Sequence, residues 1–466
     1  MNILLLHPTD ILFFRDGRPM SGSLAGHGAA WPLPTVLNAA LHAALWRADL
    51  EKLFGSKVHG HDQIRLYGGK RDRISEDTRK FGSLVTAGPF PVWMGSARAP
   101  RAVSGTPPDV PVWFFPRPAD AEDAGSSAVT LLPVARPAAS SLPDCLTHAI
   151  ANTRPPTKAK PAPWWSRAAW QAYLGDTSAQ AQLRPTDFKD DTDFSDTEHT
   201  IGIGISPDTG TQNGEQFYSA HCLRLRAGWL LGAFAEARDK DFKDKSGNND
   251  LIQTLFPNSD AETQVIVGGQ QRLCSVARHS NVESSPLPLP HGVKITGHRV
   301  KWILLTPAVW PAIGEHTGGW LPSWVRHTDG QVMLKTGETA RRDGEGREAW
   351  RKRVATELSN IPARLVAAIT GKPLAVTGYA LPNSADPDRP EGGAKSTHLA
   401  VPAGAVYYFQ ANSEPDAQAL ANALNWHGNA TANPTTIRNR RSTLMGEKGF
   451  GLGVCGTWEL HPGSDS

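Results

Sequence analysis

The chain has 466 residues, 39% hydrophobic and 20% charged, which is too long for one ordinary core and too apolar for a disordered protein, so two globular domains with insertions are expected. Lysine and arginine number 48 against 45 aspartate and glutamate, a net charge of +3, so no global positive field announces nucleic acid and any basic site must be local. Cys145, Cys222, Cys274 and Cys455 form no CxxC pair, which argues against a zinc ribbon or a disulfide framework; with no signal peptide and no run of about 18 apolar residues, a soluble cytoplasmic protein with no membrane partner is expected.

The first predicted strand is "NILLLHP", residues 2–8, and it runs into "DILFFRDGRP". There Arg15 and Arg18 flank an Asp16-Gly17 turn, which can be a plain turn with local ion pairs or an anion clamp. The Gly/Ser-rich loop "MSGSLAGHGAAWP" follows with His27 and is long and polar enough to touch a ligand. "PTVLNAALHAALWRA" (Pro34 to Ala48) predicts an amphipathic helix with Pro at its start; Ser83–Trp93 and Pro111–Asp120 predict strands two and three.

A large insertion, about 117–226, comes next. Its first half, rich in Ala, Pro and Ser, reads as mostly loop. "PWWSRAAWQAYLG" predicts a short helix, and the alternation on both sides of the Pro/Asp/Thr/Gly turn in "HTIGIGISPDTGTQNGEQFYSAHCLRLRAGW" predicts a projecting β-hairpin. "DLIQTLFP" (Asp250 to Pro257) predicts a second helix, and Val265–Arg278 a glycine-led last strand.

In the C-terminal part, Val300–Ala308 predicts a strand, Pro362–Thr370 a helix stopped by Gly371, and "PLAVTGYA" a strand. Val401–Gln410, Asp416–Trp426 and Gly449–Trp458 predict strand, helix and strand. The charged stretch "ETARRDGEGREAWRKRVATEL" reads as a solvated helix inside this unit. The order β-α-β-β-α-β is that of a ferredoxin-like unit, and the N-terminal part fits the same template. The expected fold is α+β: two ferredoxin-like (RRM-like) domains, 1–285 with the insertion and hairpin, and 286–466 with a glycine-rich loop.

The residues able to carry chemistry sit on loops. In "TTIRNRRSTLMGEKGFGLG", Arg438, Arg440 and Arg441 crowd the loop after the last helix, followed by Lys448 and the glycines Gly449 and Gly451. Arginines make bidentate contacts to phosphates and glycines let a backbone approach them; tight packing against the sheet is the other reading. "GGQQR" offers Gly268, Gly269 and Arg272 in the matching place of the first unit. The spacing is neither a P-loop nor a dinucleotide fingerprint. No His pair, Ser-His or Cys-His arrangement has catalytic or metal spacing, so no catalytic residue, metal or cofactor is expected; His27 and His221 are the histidines that could act on an RNA 2′-hydroxyl.

The pieces "HPTDILFFRDGRPM", "WPLPTVLNAAL", "AGPFPVW", "WFFPRPAD", "WWSRAAWQAYLG", "LLTPAVW", "GGWLP", "VPAGAVYYF" and "GEKGFGLGVCGTW", in that order from residue 3 to residue 458, resemble subunit three of the Cmr complex, the type III-B CRISPR effector of the RAMP superfamily. A GGEGR-like loop of the family reads "GGQQR" here. The resemblance implies a non-catalytic ribonucleoprotein subunit in antiviral defence, whose glycine-rich loops grip the repeat-derived 5′ tag of the crRNA. It also implies docking on the large Palm-domain subunit and on neighbouring backbone RAMP subunits, with the hairpin as a thumb. Arg15 and Arg18 are then expected on the sheet surface that RRM-like folds offer to single-stranded RNA. The alternative is a metal-independent RAMP endoribonuclease that processes repeat RNA.

Overall fold

The computed structural model describes residues 1–15, 25–26, 31–48, 64–67, 70–73, 84–95, 111–122, 128–155, 158, 160–238, 247, 249–257, 263–278, 286–337, 342, 344–380, 393–430 and 434–465. In β1 (Asn2–Pro8) alternate side chains leave opposite faces, so the unbroken apolar run serves two cores. Leu4 and Leu6 face α1 (Pro34–Arg47), while Ile3 and Leu5 face the other way. β2 (Leu84–Trp93) and β3 (Val112–Pro116) follow, then β4 (Trp164–Ser166) and α2 (Arg167–Tyr173), whose first turn is capped by the Ser166 hydroxyl. β5 (Phe188–Lys189) precedes the hairpin of β6 (Ser195–Ile205) and β7 (Gln212–Leu225), the hairpin expected from the alternation.

β8 (Trp229–Ala237), α3 (Leu251–Leu255), β9 (Thr263–Ile266) and β10 (Leu273–Arg278) complete an eight-stranded antiparallel sheet in the order β5-β4-β3-β2-β8-β1-β10-β9. The C-terminal part contributes β11 (Arg299–Leu304), α4 (Arg347–Thr356), β12 (Ala363–Ile369), β13 (Val406–Ala411), α5 (Glu414–Leu424) and β14 (Gly453–Thr457). Its four strands are antiparallel in the order β12-β13-β11-β14. The molecule is thus mixed α+β, with antiparallel sheets and few helices.

Several expected elements change place. Pro362–Thr370 is the strand β12, not a helix: a short Ala/Leu/Val run buried on both faces has no period that separates strand from helix. The "PLAVTGYA" stretch stays outside the main sheet, pairing only in two-residue and three-residue ladders. The strand between β2 and β1 is β8, whose "WLLGAFAEA" was not foreseen, while β3 lies outside β2. The excursion therefore leaves after the second strand, not the third. Val265–Arg278 is a hairpin with GGQQR at its turn, not one strand. The Ala/Pro-rich segment contains a ladder between Leu131–Ala135 and His148–Asn152 instead of plain loop.

The two sheets bury each other. Ile3, Leu5, Phe90, Val92 and Phe234 of the first meet Ile303, Val366, Val406, Tyr408 and Val454 of the second in one cluster, sealed at the side by Trp165 and Trp170 of the insertion. The opposite faces pack on α1 and α3 in one case and on α5 with Trp310 and Val325 in the other. Each fully buried Leu, Ile or Phe stabilises by about 1.5–3 kcal/mol, so this seam is a core and not a loose domain contact. It also removes the expected RNA platform: the helix-free sheet faces, where Arg15 and Arg18 were expected to act, are buried against one another. Inside the seam, Lys301 Nζ lies 3.2 Å from Asp120 Oδ2, and Asp120 accepts hydrogen bonds from the hydroxyls of Tyr173 (2.7 Å) and Tyr408 (3.1 Å). All four cysteines are free thiols, and among the described residues no helix is long and apolar enough to cross a membrane.

Candidate nucleic-acid interface

Beyond β1 the chain turns at Asp10, and the GGQQR turn is seated on the segment that follows. The Gly269 amide donates to the Phe13 carbonyl at 2.9 Å, and a Cβ on Gly268, whose φ is +78°, would stand 2.5 Å from that same oxygen. Gln270 and Gln271 both have positive φ, 56° and 53°, with the Arg272 amide returning to the Gly269 carbonyl. That is the tight hairpin turn usually given to Asn-Gly, held here by two glutamines. The glycines are therefore used in close approach to protein backbone.

Asp10 gathers the cations of this corner. Its carboxylate accepts from Arg224 at 3.0 Å and stands 3.7 Å from Arg272 Nη1, while Arg224 also bonds Glu198 across the hairpin. The Ile11 amide and then the Arg224 guanidinium hold the Asp10 carboxyl below its usual range against the opposing cost of desolvation. Arg272 also donates to Gln270 Oε1 at 3.1 Å. Arg15 is exposed one residue beyond Phe14; Arg18 and His27 lie outside the described residues. Arg224 escaped the sequence reading, although Arg224 and Arg226 recur at the strand period in "CLRLR".

The C-terminal loop is built differently. Arg441 donates through Nε to the Ala423 carbonyl at 2.6 Å, capping the last turn of α5, and through Nη2 to Asn439 at 3.2 Å; burial pushes its pKa down to about 10. Arg440 donates Nη1 to the Ile437 carbonyl at 3.3 Å, but its Nε and Nη2 are buried with no hydrogen-bond partner. Burial pushes Arg440 down to about 10 as well, against the pull of Glu236 and Glu447, and burial also lowers Lys448. Arg438 is exposed and reaches Asn429 Oδ1 at 3.4 Å.

The glycines of this loop again meet protein. A Cβ on Gly449 (φ +98°) would lie 2.9 Å from Ala87 Cα in β2, and one on Gly451 (φ +75°) 2.0 Å from the Ser442 amide nitrogen. Ala87 is in register with Phe234 and so with Ile3, near the start of β1, whereas Gly268 and Gly269 lie past its end. At about 3.3 Å per residue the two loops are separated by roughly 17 Å or more along the strand. The structure does not bring them into one site.

A third group was not foreseen. The rings of His291 and His427 are 5.9 Å apart, with the Gly292 amide donating to His427 Nε2 at 3.0 Å and the His291 amide donating to Gln171 of α2 at 2.7 Å. Burial, with Arg167 and His427 nearby, pushes His291 down to about 4, and burial lowers His427. His291 Nε2, His427 Nδ1 and Arg167 Nε are buried without partners. His221 sits opposite His199 on the hairpin, ring centroids 4.3 Å apart. Among the described residues no group of three or more His, Cys, Asp or Glu side chains could hold a metal ion.

The model of the family described as CRISPR-associated protein (Cas_Cmr3) matches residues 4–458. Among solved structures, a chain of the type III-B Cmr-beta complex bound to cognate target RNA and AMPPnP is 12% identical, with 89% of this chain and 86% of that chain covered and a TM-score of 0.37. A chain of the same complex bound to cognate target RNA is 14% identical, with 87% and 86% covered and a TM-score of 0.35. No curated protein matches the chain.

Proposed function

The chain belongs to the Cas_Cmr3 family of CRISPR-associated proteins, and from that premise we propose that it is the non-catalytic subunit of a type III-B Cmr effector that grips the repeat-derived 5′ tag of the crRNA, in the cytoplasm, for defence against foreign nucleic acid. The observation that carries the RNA reading is the exposed guanidinium of Arg438 on the loop after α5, with the buried cations Arg440 and Lys448 behind it. A phosphate is the acceptor that such an exposed guanidinium suits. Lys448, Gly449 and Gly451 shape that loop. Arg15 and Arg272, with Arg18, His27, Gly268 and Gly269 beside them in the chain, form a second, weaker station, because Asp10 already occupies Arg272.

Each sheet with its helices is read as one ferredoxin-like unit, 1–285 and 286–466. In both the order is second, third, first, fourth strand, and in both the bulge lies on the second strand against the third. The large Palm-domain subunit and neighbouring backbone RAMP subunits are the proposed protein partners. Ile201, Ile203 and Ile205, exposed by 69%, 48% and 62% along one face of the hairpin, support docking there, since isolated chains rarely expose such a row.

The test is to co-express the chain with candidate partners and a repeat-spacer RNA, and to measure retention of tagged RNA. Arg438→Ala should weaken retention and flatten the salt dependence by about 0.7 in log-log slope for each phosphate it no longer neutralises, with an unchanged melting temperature. Affinity and slope equal to the parent chain would overturn the tag reading; RNA shortened by this chain would overturn its non-catalytic part.

A further inference from the structure

Where β2 ends and β3 and β8 begin, the sheet opens into a groove of about 990 Å³, within the range of small-ligand sites. Its floor is aromatic: the Trp93 and Trp229 ring centroids are 5.2 Å apart and those of Phe114 and Trp229 5.3 Å. Trp93 is half-buried and held in place, since a Cβ on Gly228 would stand 2.6 Å from its ring and the Met94 amide is tied to the Gly228 carbonyl at 2.9 Å. The rim bears two acids and two cations. Both oxygens of Asp187 are engaged, by the Ser166 hydroxyl at 2.6 Å and the Arg184 amide at 2.8 Å, and Asp193 accepts from the Asp190 amide at 2.7 Å. The guanidinium of Arg184 and the ammonium of Lys189 have no ion-pair partner among the described residues. Both acids accept local hydrogen bonds, and neither forms an ion pair with Arg184 or Lys189.

We propose that this groove receives one unpaired nucleotide of single-stranded RNA, its base against Trp93 and its phosphate between Arg184 and Lys189, at a station separate from both arginine loops. The inference rests on the reading of the chain as an RNA-binding subunit. A rigid half-exposed indole beside unpaired cations is what stacking recognition of single strands requires, and it needs no particular base. An acidic peptide would satisfy the cations but leave the indole face unused.

The experiment is fluorescence anisotropy of the full chain with a labelled oligouridylate lacking the tag, competed by uridine monophosphate and, separately, by polyglutamate. Trp93→Ala should weaken binding by between about 5- and 150-fold, Trp93→Phe should restore most of it, and Lys189→Glu with Arg184→Glu, both away from the core, should weaken it and flatten its salt dependence. Unchanged affinity in the charge-reversal and Trp93→Ala variants, with a loss in Arg438→Ala, would overturn the groove and leave the proposed function standing. Failure of the chain to bind any oligonucleotide would overturn both, and competition by polyglutamate but not by uridine monophosphate would overturn the groove in favour of an acidic peptide.

Discussion

The two sheets are built to one plan and differ in what surrounds their loops. In the N-terminal sheet the first crossover is the helix α1, packed on Leu4 and Leu6; in the C-terminal sheet that place is taken by an irregular, tryptophan-rich segment around Trp310 and Trp324, and α4 contributes no residue to the core there. Both glycine loops carry an arginine with a buried, unpartnered nitrogen, Nε of Arg272 and Nε and Nη2 of Arg440, but Arg272 meets the carboxylate of Asp10 at 3.7 Å whereas Arg440 has no carboxylate within ion-pair distance among the described residues. One topology thus yields one locally neutralised corner and one cationic loop, and charge placement, not fold, separates their expected roles.

The largest expected effect comes from breaking the seam that joins the units. Asp120→Ala leaves Lys301 buried without its carboxylate and two tyrosine hydroxyls without an acceptor, at a cost of about 3–5 kcal/mol read by urea denaturation. Asp120→Leu with Lys301→Met should recover most of that, and a loss under about 1 kcal/mol in the single variant would show that the pair does not hold the sheets together.

A smaller effect concerns pH at the same junction. The folded pKa of His291 is about 4 against an unfolded value of 6.5, so between these the unfolded chain binds more protons and stability falls as pH falls. The melting temperature should therefore decline from pH 7 towards pH 4, and His291→Asn should flatten that decline; a parallel curve in the variant would assign the loss to other groups.

The smallest effect sharpens the comparison itself. Asp10→Asn releases Arg272, while Arg224 keeps its bond to Glu198, and should make the first unit's corner resemble the second's, raising RNA affinity modestly and steepening its salt dependence. No gain would mean that the corner is structural in both forms.

The hairpin, the capped helices α2, α3 and α5, and the strands β1, β11, β13 and β14 were legible because alternation, caps and turn residues are local signals. β12 and β8 were not, because each is apolar on both faces and only its neighbours decide that it is a strand. The same applies to the candidate sites. Arg438, Arg440 and Arg441 looked alike in "RNRR", yet Arg441 caps a helix, Arg440 is buried with idle donors and Arg438 faces solvent.

By itself the sequence determined the hairpin, the capped helices and the strands β1, β11, β13 and β14, the cationic character of the loop after α5 and the absence of a P-loop, since these depend on residue type and spacing along the chain. Only the tertiary structure decided that the two helix-free sheet faces bury each other, that the glycines of both loops approach protein backbone, and that Asp10 neutralises one corner. Apart from the approach of Gly451 to Ser442, those outcomes depend on which residues meet across 200 or more positions, as Arg224 and Asp10 do with a separation of 214, and short-range pattern carries no record of such meetings.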